Sequence, residues 1–221
     1  MTPDQALAAL LEGNARYVRN QPRHPHQRAT HRRHTAAGQH PFAVVLGCAD
    51  SRVPPEIIFD EGIGDLFVVR TAGHIVDDAV VGSIEYAFLE FGAPLVLVLG
   101  HERCGAVKAA LETATGDRRA GAGPAAPAGH IGAVVEAILP AIRSAGLDGG
   151  GETDRQDRQD GQDGQDADER LDRAVRANVA QAVETLRADE PLLAPAVRAG
   201  RLRVVGARYD LNDGVVAVIL P

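Results

Sequence analysis

Phe42-Ala43-Val44-Val45-Leu46-Gly47-Cys48-Ala49-Asp50-Ser51-Arg52 and Leu95-Val96-Leu97-Val98-Leu99-Gly100-His101-Glu102-Arg103-Cys104 are built alike: an apolar run that stops at a cluster of reactive side chains. Neither run alternates polar and apolar residues. Both are Val- and Leu-rich, which is the pattern of strands covered on both faces in a parallel sheet. Ligands in open α/β sheets bind just beyond the carboxyl ends of such strands. If the two strands are neighbours, Cys48, His101 and Cys104 converge on one point.

The sequence on either side supports the same architecture. Leu66-Phe67-Val68-Val69 reads as another strand, and Val80 to Phe91 as a helix carrying Val81, Ile84, Phe88 and Phe91. Gly105-Ala106-Val107 opens a further helix. Ile131, Val134, Val135, Ile138, Leu139 and Ile142 mark an amphipathic one, and Leu171 to Leu186 another. Strands alternating with helices predict right-handed crossovers and an α/β fold, with a central, mainly parallel sheet flanked by helices. The chain closes in a hairpin, Leu202 to Leu211 and Val215 to Leu220, turning at Asn212-Asp213-Gly214 and expected at the sheet edge.

Residues 1–41 read as an N-terminal helical arm. Thr2-Pro3-Asp4-Gln5 carries a capping box with proline in the first turn, and Leu7, Leu10, Leu11 and Val18 form an apolar stripe. Residues 21–41 are rich in Arg, His and Pro. His24, His26, His31, His34 and His40 lack a regular ligand spacing, so this stretch reads as a basic arm lying across the surface or a partner subunit. Gly121 to Gly129 is a Gly/Ala/Pro loop without the Gly-x-x-x-x-Gly-Lys-Ser/Thr phosphate cradle. Residues 146–169 turn into Asp/Gln/Gly/Arg repeats that cannot bury apolar surface, and are expected to be a solvated, disordered acidic insertion. With 221 residues the whole chain, 1–221, fits one domain.

A formal net charge of -7 argues against general affinity for nucleic acid or anionic membranes. No stretch approaches the roughly 20 apolar residues of a membrane span. The polar amphipathic start carries no secretory signal, so a cytoplasmic location is expected. Two cysteines in an unsecreted chain of this size more often bind metal or do chemistry than form a disulfide.

Two thiolates and an imidazole are a three-ligand set for zinc, with a fourth position left over. Asp50 bears on that position in one of two ways. It binds the metal and closes a structural site, or it pairs with Arg52 and leaves a place for water. A guanidinium two residues away is a natural bidentate partner for the carboxylate, which favours the open arrangement.

The strings Cys48-x-Asp50-x-Arg52 and His101-x-x-Cys104 resemble the zinc signature of the β-class carbonic anhydrases. Leu11-Glu12-Gly13-Asn14-Ala15-Arg16-Tyr17 is similar to that family's N-terminal helix motif. Asp65 to Gly73 and Gly82-Ser83-Ile84-Glu85-Tyr86-Ala87 resemble its central segments. The resemblance implies an enzyme, a carbonate dehydratase (a lyase), that reversibly hydrates carbon dioxide to bicarbonate and a proton by attack of zinc-bound hydroxide. It implies one Zn2+ per chain on Cys48, His101 and Cys104, a controlling dyad of Asp50 and Arg52, and Asp50 as fourth ligand in a closed state. Gln39 would donate a hydrogen bond to substrate, and Phe67 and Tyr86 would wall the carbon dioxide pocket. Some of these groups come from the partner subunit in the family, which implies a homodimer or homotetramer. His74 is the candidate proton shuttle. Two other readings stay open: hydrolysis of a sulfur analogue, carbonyl sulfide or carbon disulfide, and a non-catalytic binding protein stapled by zinc with Asp50 closing the site.

Overall fold

The computed structural model describes residues 1–116, 129–149 and 163–221. Helices α1 (Pro3–Val18) and α2 (Ala29–His34) precede β1 (Ala43–Cys48). Then come α3 (Pro55–Ile58), β2 (Leu66–Thr71), α4 (Asp78–Phe91), β3 (Leu95–His101), α5 (Gly105–Thr115), α6 (Ile131–Ser144), α7 (Asp163–Ala188), α8 (Leu193–Arg198), β4 (Arg203–Tyr209) and β5 (Val216–Leu220). The five strands form one sheet in the order β2-β1-β3-β4-β5. All neighbours are parallel except β4 and β5, the C-terminal hairpin at one edge.

Alternate strand residues face opposite ways, and each face finds its own cover. Val44, Leu46, Val96, Val98 and Val204 pack under Val80, Ile84 and Ala87 of α4 and Val179, Val183 and Leu186 of α7. Ala43, Val45, Leu95, Leu97, Leu99 and Val205 pack against Ala6 and Leu10 of α1 and against Ile58 and Phe59. A third cluster joins α5, α6 and α7 around Val107, Ile138 and Val175 and reaches Cys48 and Cys104. Hence the apolar strings of β1 and β3 have no polar positions.

The caps fall where the sequence puts them. Thr2 and Gln5 close the capping box of α1. The Asp77 side chain accepts from the Val80 amide at the start of α4, and Gly92 ends that helix with φ +65°. The arm is pinned to the body: Asp60 accepts from Arg16 Nε and from the Arg23 and His24 amides, and His26 pairs with Asp65.

The acidic insertion needs correction at both ends: Leu147 is buried in the cluster of α5, α6 and α7, and the C-terminal end is helical. Helix α7 begins at Asp163, eight residues before the apolar stripe that starts at Leu171, so 163–169 are helical. Each residue added to an existing helix gains a backbone hydrogen bond without repeating the cost of nucleation, so a polar stretch can extend a packed one. Arg170 helps to seat that end by donating to the Leu147 carbonyl at 2.7 Å. Residues 150–162 of the insertion, and the loop 121–129 up to residue 128, lie outside the described residues. Among the described residues, no helix is long and apolar enough to cross a membrane.

Candidate metal centre

β1 and β3 run side by side with Gly47 opposite Leu99, a register that sets Cys48 next to Gly100 and one step short of His101. Gly100 has no room for a side chain: a Cβ there would sit 2.5 Å from Val179 Cγ2 and 3.3 Å from Val175 Cγ1. This close approach lets α7 lie directly over the strand ends. Cys104 follows as the N-cap residue just before α5.

The donor atoms of Cys48, His101 and Cys104 all lie within 4.8 Å of one another, and all three residues are buried. The two sulfurs are 3.9 Å apart. Thiolates about 2.3 Å from a tetrahedral zinc stand about 3.8 Å apart, so the spacing suits that ion. His101 is fully buried, and its Nδ1 donates to the Glu102 carbonyl oxygen at 2.8 Å, which leaves the lone pair on Nε2. That Nε2 has no hydrogen-bond partner among the described residues. A buried imidazole nitrogen facing two sulfurs with nothing to satisfy it is what a metal ligand looks like without its metal.

Cys48 sulfur accepts from the backbone amides of Asp50 at 3.4 Å and Gly73 at 3.3 Å. Donation from Cys104, with further help from these two amides, outweighs burial and pulls the Cys48 thiol well below its ordinary value. Its proton-sharing partner Cys104 is pushed up, first by that hydrogen bond and then by burial. Of the two thiols, Cys48 is the one whose surroundings favour the thiolate.

Asp50 sits at the open side of this cluster. Its Oδ1 accepts from the Arg52 amide at 2.9 Å and from Arg52 Nε at 3.0 Å, and its Oδ2 accepts from Arg52 Nη2 at 2.8 Å. The Arg52 hydrogen bonds hold its carboxyl down at about 2. Oδ2 is 3.9 Å from His101 Nε2. Arg52 thus holds the carboxylate in its charged form, with Oδ2 turned toward the His101 ring.

Gln39, Phe67 and Tyr86 are not brought to this cluster within the chain. Phe67 stands opposite Val44, whereas Cys48 stands opposite Thr71, four residues or about 13 Å farther along β2. Tyr86 on α4 packs edge-on against Phe91, with ring centres 5.5 Å apart, and half of it is exposed. Gln39 is exposed on the segment before β1. His74 is not an exposed shuttle either. It is fully buried, its Nε2 lies 3.0 Å from Asn178 Nδ2, and burial pushes the imidazole down to about 4.

Four supporting residues escaped the sequence reading. Arg70 donates to the carbonyls of Cys48 at 3.0 Å and Asp50 at 2.7 Å, bracing the turn after β1. Glu102 accepts from Arg208, from the Leu211 amide and from Asn212, fixing the peptide that orients His101. Gly73 and Asn178 supply backbone and side-chain bonds behind Cys48. An arginine ending the apolar run of β2 was a visible signal for Arg70. The others depend on contacts across 25 to 110 residues of chain, which local pattern does not carry.

Comparison with known proteins agrees with this geometry. A family model for carbonic anhydrase matches residues 43–216. Carbonic anhydrase 2 of Mycobacterium tuberculosis is 43% identical over 212 residues, covering 96% of this chain and 90% of that protein. A carbonic anhydrase of Mycolicibacterium smegmatis is 41% identical over 217 residues, covering 97% and 92%. Among solved structures, a tetrameric β-carbonic anhydrase from Sordaria macrospora superposes with a TM-score of 0.66 at 25% identity, covering 85% of this chain and 84% of that one. A Coccomyxa β-carbonic anhydrase bound to acetazolamide gives 0.65 at 26%, covering 85% and 75%. The chain belongs to the carbonic anhydrase family, in its β class.

Proposed function

We propose that this protein reversibly hydrates carbon dioxide to bicarbonate and a proton, with one zinc ion held by Cys48, His101 and Cys104. The observation that carries the reading is the unsatisfied, buried Nε2 of His101 facing the Cys48–Cys104 sulfur pair. When bound, zinc supplies Lewis acidity that activates water, an effect for which carbonic anhydrases are the standard example.

The protein's own groups do the rest. Asp50 is an acceptor-only carboxylate, because Arg52 keeps it ionised. It can take a hydrogen bond from the attacking water and so point that water's lone pair at the carbon of the substrate. Arg52 limits how far Asp50 can swing, so the pair controls whether the fourth position is open to water or closed by carboxylate. The Glu102 carbonyl keeps the His101 ring oriented through Nδ1. Gln39, Phe67 and Tyr86 act in this reading across a subunit interface: Gln39 donates to substrate, and the two rings exclude water from it. The exposure of Gln39 and Tyr86 and the distance of Phe67 from the cluster of its own chain support that division, as do tetrameric relatives such as the Sordaria protein. The protein therefore works as a homodimer or homotetramer.

The test is stopped-flow hydration of carbon dioxide from about pH 7 to pH 9, on zinc-loaded and chelator-stripped protein. Catalysis that disappears on stripping and returns with zinc is expected. Absence of catalysis across that range, with zinc confirmed bound, would overturn the reading.

A further inference from the structure

Asn178 sits in the middle of α7 and is 96% buried, between the apolar neighbours Val175 and Val179. A polar amide in that position costs stability unless it is hydrogen-bonded, and Leu would suit the packing better. Its Nδ2 makes two contacts, 2.9 Å to the Gly73 carbonyl oxygen and 3.0 Å to His74 Nε2. Both partners belong to the short turn after β2, and both have left-handed backbone, φ +67° at Gly73 and φ +44° at His74. Such conformations persist only where their surroundings hold them, and a non-glycine residue there is strained. The same turn presents the Gly73 N–H to Cys48 sulfur at 3.3 Å. Gly73 is confined from the other side as well, since a Cβ on it would meet Ile138 Cδ1 at 2.8 Å.

We propose that Asn178 is a positioning residue for the metal centre: by clamping the Gly73–His74 turn it holds the Gly73 amide on Cys48 sulfur and so sets the donor strength and direction of that ligand. The inference rests on the zinc reading above. The chain of contacts is continuous and directional, from the α7 side chain to a strained turn to an N–H on the thiolate. Removing the clamp leaves the Gly73 carbonyl and His74 Nε2 unpaired in the interior. The turn then relaxes, and Cys48 loses one of its two amide donors. Hydrogen bonds to a thiolate withdraw charge from sulfur and fix its lone pairs, which alters both the affinity and the electronic spectrum of a bound metal.

The experiment compares wild type, Asn178→Leu and Val183→Ala. Val183→Ala loosens the same helix more than a turn away, in the cluster that holds none of the three donors. Zinc affinity is read by competition with a chromogenic chelator. Coordination is read from the sulfur-to-metal charge-transfer band of the cobalt(II)-substituted protein. Asn178→Leu is expected to bind zinc about 10- to 100-fold more weakly and to shift the charge-transfer band, while Val183→Ala lowers the melting temperature and leaves both readouts unchanged. If Asn178→Leu does not fold, Asn178→Ser, whose hydroxyl is too short to span the turn, takes its place with the same expectation. An unchanged affinity and band in the Asn178 variant overturns the positioning role, whatever its melting temperature. Failure of the wild type itself to bind zinc or cobalt overturns the metal reading, and with it this one.

Discussion

Asp50 takes three hydrogen bonds from one neighbour, the Arg52 amide, Nε and Nη2. Both residues lie beside the donor cluster without belonging to it, so Asp50→Ala and Arg52→Ala should each reduce carbon dioxide hydration by about 10²-fold or more while retaining zinc. Metal analysis beside stopped-flow rates checks this, and normal turnover in both variants would end the dyad role. A second residue bears on the pH dependence of stability. Burial, with Asp65 and Asp60 adding repulsion against the pull of Arg16 and His26, pushes Glu61 up from 4.5 to about 7. Between those values the folded protein keeps a proton that the unfolded chain releases, so this group makes stability fall as pH rises from about 4.5 to about 7. His74, pushed down to about 4 by burial, acts in the opposite sense, adding stability as pH rises from about 4 to about 6.5. Comparison of wild type with Glu61→Gln isolates the first effect. Wild type should lose melting temperature relative to the variant from pH 4.5 to 7, and parallel curves would show that Glu61 titrates normally.

Among the elements, α1 reaches two distant segments at once through one amide. Asn14 donates to the Ile58 carbonyl at 3.2 Å and the Gly214 carbonyl at 2.8 Å, and accepts from the Val216 amide at 2.9 Å. It is almost fully buried. Asn14→Ala strands these three backbone groups and should lower unfolding free energy by about 2–4 kcal/mol, measured by urea denaturation; a loss below about 0.5 kcal/mol would mean that water replaces the amide. The periodic elements were the legible ones. β1 and β3 were visible as unbroken apolar runs, and α4 and α6 as stripes, because burial of one face imposes its own spacing. The hairpin followed from Asn212-Asp213-Gly214, where Gly214 has φ +78°. Helices α3 and α8, of four and six residues, are too short to repeat a period and went unseen. The extension of α7 back to Asp163 was hidden because its residues have no apolar face to announce it. The donor cluster was legible because strand ends concentrate it in two strings, whereas Asn178, a single amide on an apolar helix, acquires meaning only from the turn it meets.

The whole molecule presents two different sheet margins. β5 closes one, while the other ends at β2, flanked by Tyr86, Leu89 and the rings of Phe67 and Phe91. Tyr86 and Leu89, one turn apart on α4, are more than half exposed and offer an apolar spot of the kind found at contact surfaces. Tyr86→Glu should weaken assembly and depress hydration in proportion to the monomer formed, read by sedimentation velocity at the concentration of the activity assay. An intact oligomer with full activity would remove Tyr86 from the interface. Under the proposed function, assembly would complete the roles of Gln39, Phe67 and Tyr86, which the sequence attributes to the site only through resemblance.

Cys48 and Cys104 meet in space although 56 residues of chain separate them. Everything from β1 through the crossover to β3 has to be in place before the donors face one another. Long closures of this kind come late in folding, because their entropy is lost before their contacts form. A cation that recognises only the finished cluster has little to hold while the chain is still searching. Zinc should accordingly behave as a latch: loaded protein refolds no faster than stripped protein yet unfolds far more slowly, as paired stopped-flow refolding and unfolding traces would reveal. Equal unfolding rates would mean that the ion contributes nothing to the persistence of the fold.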